Sequence, residues 1–201
     1  MSVRGVLWDV GNVIVRWDPR TLYSKIFPDT AERDRFLAEV CTMAWHGEHD
    51  RGLPFAEGIA ALSAKFPQHT DAIAAWKGRW DEMFSGTIPE TESLIEELYR
   101  RGVPQFGLSN MSLEVWDDVR AMSPCFDRLS DVVLSAAEGC IKPERRIYEI
   151  SVERSGLAPH QLIFVDDNLA NIEAARALGF AVHHFTDPAA LRPALHAHGL
   201  L

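Results

Sequence analysis

Five short apolar runs recur along the chain, at residues 3–8, 103–108, 132–134, 162–165 and 181–184. Bounded by turn or polar residues, they read as buried strands. Between the later runs the apolar period lengthens to that of a helix. Over residues 93–101, Leu94, Ile95 and Leu98 share one face with Glu96, Glu97, Arg100 and Arg101 opposite, and Gly102 supplies the stop. A second helix is predicted from Pro143 to about Gly156, and a third over residues 169–178, closed by Gly179. Strands alternating with helices imply right-handed crossovers and a parallel sheet covered on both faces, which places the chain in the α/β class.

One interval breaks the alternation. From about Trp17 to Phe84 there is only helical patterning, interrupted at Pro28, at Gly52 to Pro54 and at Pro67. This reads as a small α-helical domain inserted after the first strand. Four of the six tryptophans, Trp17, Trp45, Trp76 and Trp80, fall inside it, either as its core or as a surface to present. Ser85, Gly86 and Pro89 mark the return. The predicted organisation is therefore a core of residues 1–16 and 87–201, with an insertion of residues 17–86.

Charge and cysteine usage narrow the function classes. A formal net charge of −9 disfavours nonspecific attraction to nucleic acid or to anionic membranes. The longest uncharged stretch, residues 102–113, is too short and polar to span a bilayer, and Asp9 interrupts the first apolar run. Cys41, Cys125 and Cys140 have neither zinc nor disulfide spacing, which fits a reducing compartment. The expectation is a cytoplasmic protein, monomeric or weakly homodimeric, with a small-molecule partner.

Four polar signals fall at the carboxyl ends of predicted strands, where open parallel sheets bind their ligands. They are Asp9; Ser109 with Asn110; Lys142 before Pro143; and Asp166 with Asp167. Taken singly, each reads equally as a turn, a cap or a solvated side chain. Together they carry a stronger implication. Three carboxylates at one sheet edge repel by about 4 kcal/mol per pair at 4 Å and an effective dielectric of 20, so they call for a cation, and oxygen-only ligands point to Mg²⁺. Lys142 adds a second positive charge, and the Ser109 hydroxyl, with amides of the helix predicted to open there, adds donors for a dianion.

In order and spacing these four motifs resemble those of the haloacid dehalogenase-like hydrolases, in the branch with a helical cap after the first strand. The resemblance covers about residues 3–187. It implies a Rossmann-like core, Asp9 as nucleophile, Ser109 and Asn110 as phosphoryl contacts, and Lys142 as charge stabiliser. It further implies Mg²⁺ held by Asp9, the Gly11 carbonyl, Asp166 and Asp167, with Asp167 the direct ligand of the acidic pair. The expected activity is hydrolysis of a small phosphorylated metabolite through an aspartyl-phosphate. The first motif, Asp9 to Val13, resembles that of sugar phosphate phosphatases.

Phosphatases of the family usually carry a second Asp where this chain has Gly11, so protonation of the leaving group by this motif is lost. The sequence then predicts steep dependence on leaving-group pKa, unless His46, His49 or Asp50 of the insertion donates the proton. His46 and His49 also stand at i,i+3, a spacing open to a metal or to ordinary packing, and Arg51 can meet a second substrate anion or pair with Glu48. Two other readings compete. A 2-haloacid dehalogenase would use Asp9 on carbon, but has no use for the acidic pair. A binding or regulatory protein would follow from a weakened site, and turnover of p-nitrophenyl phosphate separates it from an enzyme.

Overall fold

The computed structural model describes residues 2–201. The chain begins with β1 (Gly5–Trp8) and β2 (Val15–Trp17). Five helices follow: α1 (Pro19–Ile26), α2 (Thr30–Glu39), α3 (Met43–Asp50), α4 (Phe55–Lys65) and α5 (Thr70–Gly78). After β3 (Phe84–Thr87) come α6 (Pro89–Arg100), β4 (Gln105–Ser109), α7 (Trp116–Ala121), β5 (Asp131–Leu134), α8 (Ser135–Glu138) and α9 (Arg145–Ser155). The chain ends with β6 (Leu162–Asp166), α10 (Leu169–Ala177), β7 (Ala181–His184) and α11 (Pro188–Ala197). No helix among the described residues is long and apolar enough to cross a membrane.

Five strands form one parallel sheet in the order β5-β4-β1-β6-β7. Side chains alternate across it. Val6 and Trp8 point into one core with Leu94, Ile95 and Leu98 of α6 and Leu191 and Leu195 of α11. Leu7, Leu108 and Phe164 point into the other with Ile147 and Tyr148 of α9 and Ile172 of α10. All of these residues are buried. The chain steps away from central β1 in one direction to β4 and β5, then crosses to β6 and β7 on the other side. Ligands of open α/β sheets bind where the strand order reverses in this way.

The expected sheet strands and helices are present, most with ends within a residue or two; α6 starts at Pro89, four residues before the expected 93, and β7 is half-buried rather than buried. Two other features differ. The expected all-helical insertion is entered and left by strands: β2 and β3 pair antiparallel, with Val15 opposite Thr87. The helix expected to open at Ser109 does not begin there. Ser109 is the last residue of β4, and a 3₁₀ turn capped by Ser112 precedes the short α7. The insertion tryptophans are largely core: Trp76 and Trp80 are buried, and Trp76 packs against Tyr23, Trp45, Trp17 and His46 with ring centroids 5.2–6.4 Å apart.

Candidate active site

The sheet register sets the site. Trp8 pairs with Gly107 on one side and Val165 on the other, so Asp9, Ser109 and Asp166 emerge close together at the carboxyl edge. The Asp9 amide donates to Val165 O at 2.9 Å, which continues β1 by one bond and fixes where its side chain leaves the sheet. Asp9, Gly11, Ser109, Asn110, Lys142 and Asp167 line one cavity of about 250 Å³. Asp166 lies beneath them, fully buried.

Lys142 is the keystone. Its Nζ lies 2.7 Å from Asp9 Oδ1 and 2.8 Å from Asp166 Oδ2, and donates to Leu108 O at 3.1 Å. Burial works against this ammonium, but the Asp166 and Asp9 carboxylates outweigh it and hold its pKa above the ordinary lysine value. Asp9 Oδ1 also accepts from the Val10 amide at 2.7 Å, so its other oxygen is the one free to react. Burial pushes the Asp9 carboxyl upward; Lys142 opposes the rise and Asp166 reinforces it.

Asp9, Asp166 and Asp167 each offer a carboxylate oxygen within 4.8 Å of the others. This hard, all-oxygen donor set suits Mg²⁺. The acidic pair is not symmetric. Asp166 accepts from Lys142, from the Asn168 amide at 2.7 Å and from Asn171 Nδ2 at 3.1 Å on both oxygens. Asp167 is only partly buried, and its carboxyl is raised by burial and by Asp166. Its backbone carbonyl lies 3.0 Å from His184 Nε2. Asn171 and His184 are contributions that sequence reasoning did not single out, because helix-face amides and strand-end histidines have no distinctive spacing. Asn110 lines the cavity as expected of its place after β4. Its amide is engaged at both ends with the backbone of Lys142, donating to Lys142 O at 3.0 Å and accepting from Lys142 N at 2.8 Å.

The insertion closes the far side. Trp17, Met43, His46, Asp50, Trp80 and Phe84 line the cavity from that side. His46 stacks on Trp17 at 5.3 Å, and its Nε2 lies 3.6 Å from Asp50 Oδ2. Burial, helped by His49, pushes His46 down to about 3; burial pushes Asp50 up to about 7 against the pull of Lys142. His46 is therefore uncharged near neutral pH, whereas Asp50 is protonated below about 7 and gives up its proton as pH rises through that value. The end of α3 is tied to the core, because the Ser135 hydroxyl donates to Asp50 O at 2.6 Å and accepts from the Met111 amide at 2.9 Å. His49 does not share the site. Its Nδ1 faces Leu53 O at 2.9 Å and its ring stacks on Phe55 at 4.2 Å. Arg51 meets neither Glu48 nor the cavity and pairs with Glu144 instead.

Comparison with known proteins agrees with this architecture. Residues 3–179 match the family model for haloacid dehalogenase-like hydrolases. The chain is 27% identical over 198 residues to a sesquiterpene phosphatase of Aspergillus oryzae, covering 92% of this chain and 91% of that protein. Among solved structures it resembles a family enzyme from Bacteroides thetaiotaomicron, determined in complex with magnesium and inorganic phosphate. That match has TM-score 0.70 at 21% identity, covering 94% of this chain and 98% of the other. It also resembles an L-2-haloacid dehalogenase from Xanthobacter autotrophicus, with TM-score 0.62 at 16% identity over 90% of this chain and 76% of that one.

Proposed function

Since the chain belongs to the haloacid dehalogenase-like hydrolase family, we propose that it is a Mg²⁺-dependent phosphatase acting on a small phosphomonoester through Asp9. The observation that carries this reading is that Asp9, Asp166 and Asp167 each offer a carboxylate oxygen within 4.8 Å of the others, with Asp9, Asp167 and Lys142 lining one cavity and the buried Asp166 pairing with Lys142 beneath it. A dehalogenase has no use for three adjoining carboxylates, whereas a phosphoryl group needs the charge that they gather. Bound Mg²⁺, held by Asp9, the Gly11 carbonyl and Asp167 with Asp166 behind, would supply positive charge that favours ionised Asp9 and a phosphoryl dianion.

The remaining work falls to the chain. Asp9 Oδ1 is fixed by Lys142 and the Val10 amide, leaving Oδ2 to attack phosphorus in line as the ester oxygen departs. Lys142 and the Ser109 hydroxyl face the equatorial oxygens. Water then cleaves the aspartyl-phosphate and releases inorganic phosphate. Residues 17–86 act as a cap that excludes bulk water from this exchange.

The substrate's organic part lies against Trp17, Trp80, Phe84 and Met43. Such a lining accepts an apolar chain or ring, or the C–H face of a sugar. The sesquiterpene phosphatase relative supports the first and the Asp9 to Val13 motif the second. The test is hydrolysis of a panel of sugar, aryl and prenyl monophosphates with and without Mg²⁺. Turnover that requires Mg²⁺ supports the reading; release of halide from 2-haloacids without phosphatase activity overturns it.

A further inference from the structure

Hydrolysis of an unactivated phosphate ester needs a proton for the departing oxygen, and the groups against the phosphoryl site cannot supply it. Lys142 is bound by two carboxylates and Gly11 has no side chain. On the opposite wall stand His46 and Asp50, at least nine-tenths buried, yet lining the same cavity as Asp9. Asp50 Oδ1 and His46 Nδ1 are sealed from solvent with no hydrogen-bond partner. An ionised carboxylate with a bare buried oxygen is costly, whereas a protonated one is tolerated there. The Ser135 tether holds this end of α3 beside Met111, two residues beyond Ser109, so the carboxyl is fixed relative to the phosphoryl site.

From this geometry we infer that Asp50 is the general acid and base of the reaction. The inference rests on the phosphatase reading. In the first half-reaction the bond from Asp9 Oδ2 to phosphorus forms, the bond from phosphorus to the ester oxygen breaks, and the Asp50 proton passes to that oxygen. In the second, Asp50 carboxylate takes a proton from water as its oxygen attacks phosphorus. The bond to Asp9 breaks, inorganic phosphate leaves and Asp50 is again protonated.

The charges around Asp50 are accounted for from every element packed on it. On its own helix, His46 is neutral, His49 is turned to Leu53 O, Glu48 is exposed and Arg51 is paired with Glu144. From α8, Glu138 is held by Arg154; on α4, Glu57 is exposed; from the core, Lys142 alone pulls on Asp50. That pull is outweighed by burial, which leaves the group near 7.

The experiment compares single-turnover phosphorylation of the protein by p-nitrophenyl phosphate and by a series of alkyl phosphates, across pH, for wild type and Asp50→Asn. The good leaving group needs no proton, so Asp50→Asn is expected to lose about 10² to 10⁴ more on alkyl than on aryl esters. In the wild type, the ratio of alkyl to aryl rates should fall as pH rises through about 7. This second readout needs no variant and stands even if Asp50→Asn fails to fold. Equal losses on both ester classes with a pH-independent ratio would overturn the assignment while leaving the phosphatase reading intact. Absence of Mg²⁺-dependent aryl phosphate turnover in the wild type would instead overturn that reading itself.

Discussion

Asn110 and Lys142 exchange two hydrogen bonds, the amide group of one clasping the backbone N–H and C=O of the other at 2.8 and 3.0 Å. The pair joins the loop after β4 to the loop before α9, and so sets where the Lys142 ammonium meets Asp9. Loss of the clasp in Asn110→Ala should cost about 1 to 3 kcal/mol of stability. Misplacement of Lys142 should lower kcat by about 10²-fold. Thermal melting and steady-state kinetics check both; an unaltered kcat would show that the clasp does not position the lysine.

The two members of the acidic pair should separate by kind of effect. Asp166→Ala leaves the buried Lys142 with one carboxylate and should destabilise the fold by about 3 kcal/mol. Asp167→Ala removes a partly buried carboxyl with few protein partners, and should mainly raise the Mg²⁺ concentration for half-maximal activity. Denaturant melts and Mg²⁺ titrations of both variants decide. A larger rise in Mg²⁺ requirement for Asp166→Ala would exchange the two roles.

Opposed pKa shifts make a prediction about stability. His46 is depressed from 6.5 to about 3, so its contribution is full above about 6.5 and is lost as pH falls towards 3. Asp50 is raised from 3.8 to about 7, so its contribution is full below about 3.8 and is lost as pH rises towards 7. Between about pH 4 and 6.5 the two slopes oppose and nearly cancel. Asp50→Asn removes one of them. Its stability should decline on acidification below about 6.5 by roughly 1.4 kcal/mol per pH unit relative to wild type, measured by urea melts at stepped pH.

Gly11 offers a rescue. A Cβ there meets no atom within 4 Å, and Gly11 is not among the glycines of positive φ. Gly11→Asp should therefore fold, and its carboxyl, next to the phosphoryl site, should restore part of the alkyl phosphate turnover lost in Asp50→Asn. Kinetics of the double variant against Asp50→Asn alone check this.

How much of this was legible in the sequence depends on the range of the interactions. The central sheet strands were readable because burial on both faces leaves continuous apolar runs, and Asp9, Ser109 and Asp166 were readable because they sit at the ends of those runs, whereas Lys142 lies in the loop between α8 and α9 and was marked by its place before Pro143. The β2–β3 pair was not: Val15–Trp17 is a short half-exposed strand whose partner is far along the chain. His46 and His49 are equivalent in the sequence. The packing of the latter ring against Phe55 and of Asp50 O against Ser135 decides which side chains of α3 face the cavity. Asn110 illustrates the same limit, since a motif places it at the site without revealing that its amide is taken up by Lys142.

The most direct test of the central claim is mass spectrometry of the protein quenched in acid during Mg²⁺-supported turnover of p-nitrophenyl phosphate. The account predicts one phosphoryl group on the peptide containing Asp9 in the wild type, with neither label nor turnover in a folded Asp9→Asn protein. An unmodified Asp9 peptide, together with substantial turnover by Asp9→Asn, would contradict it.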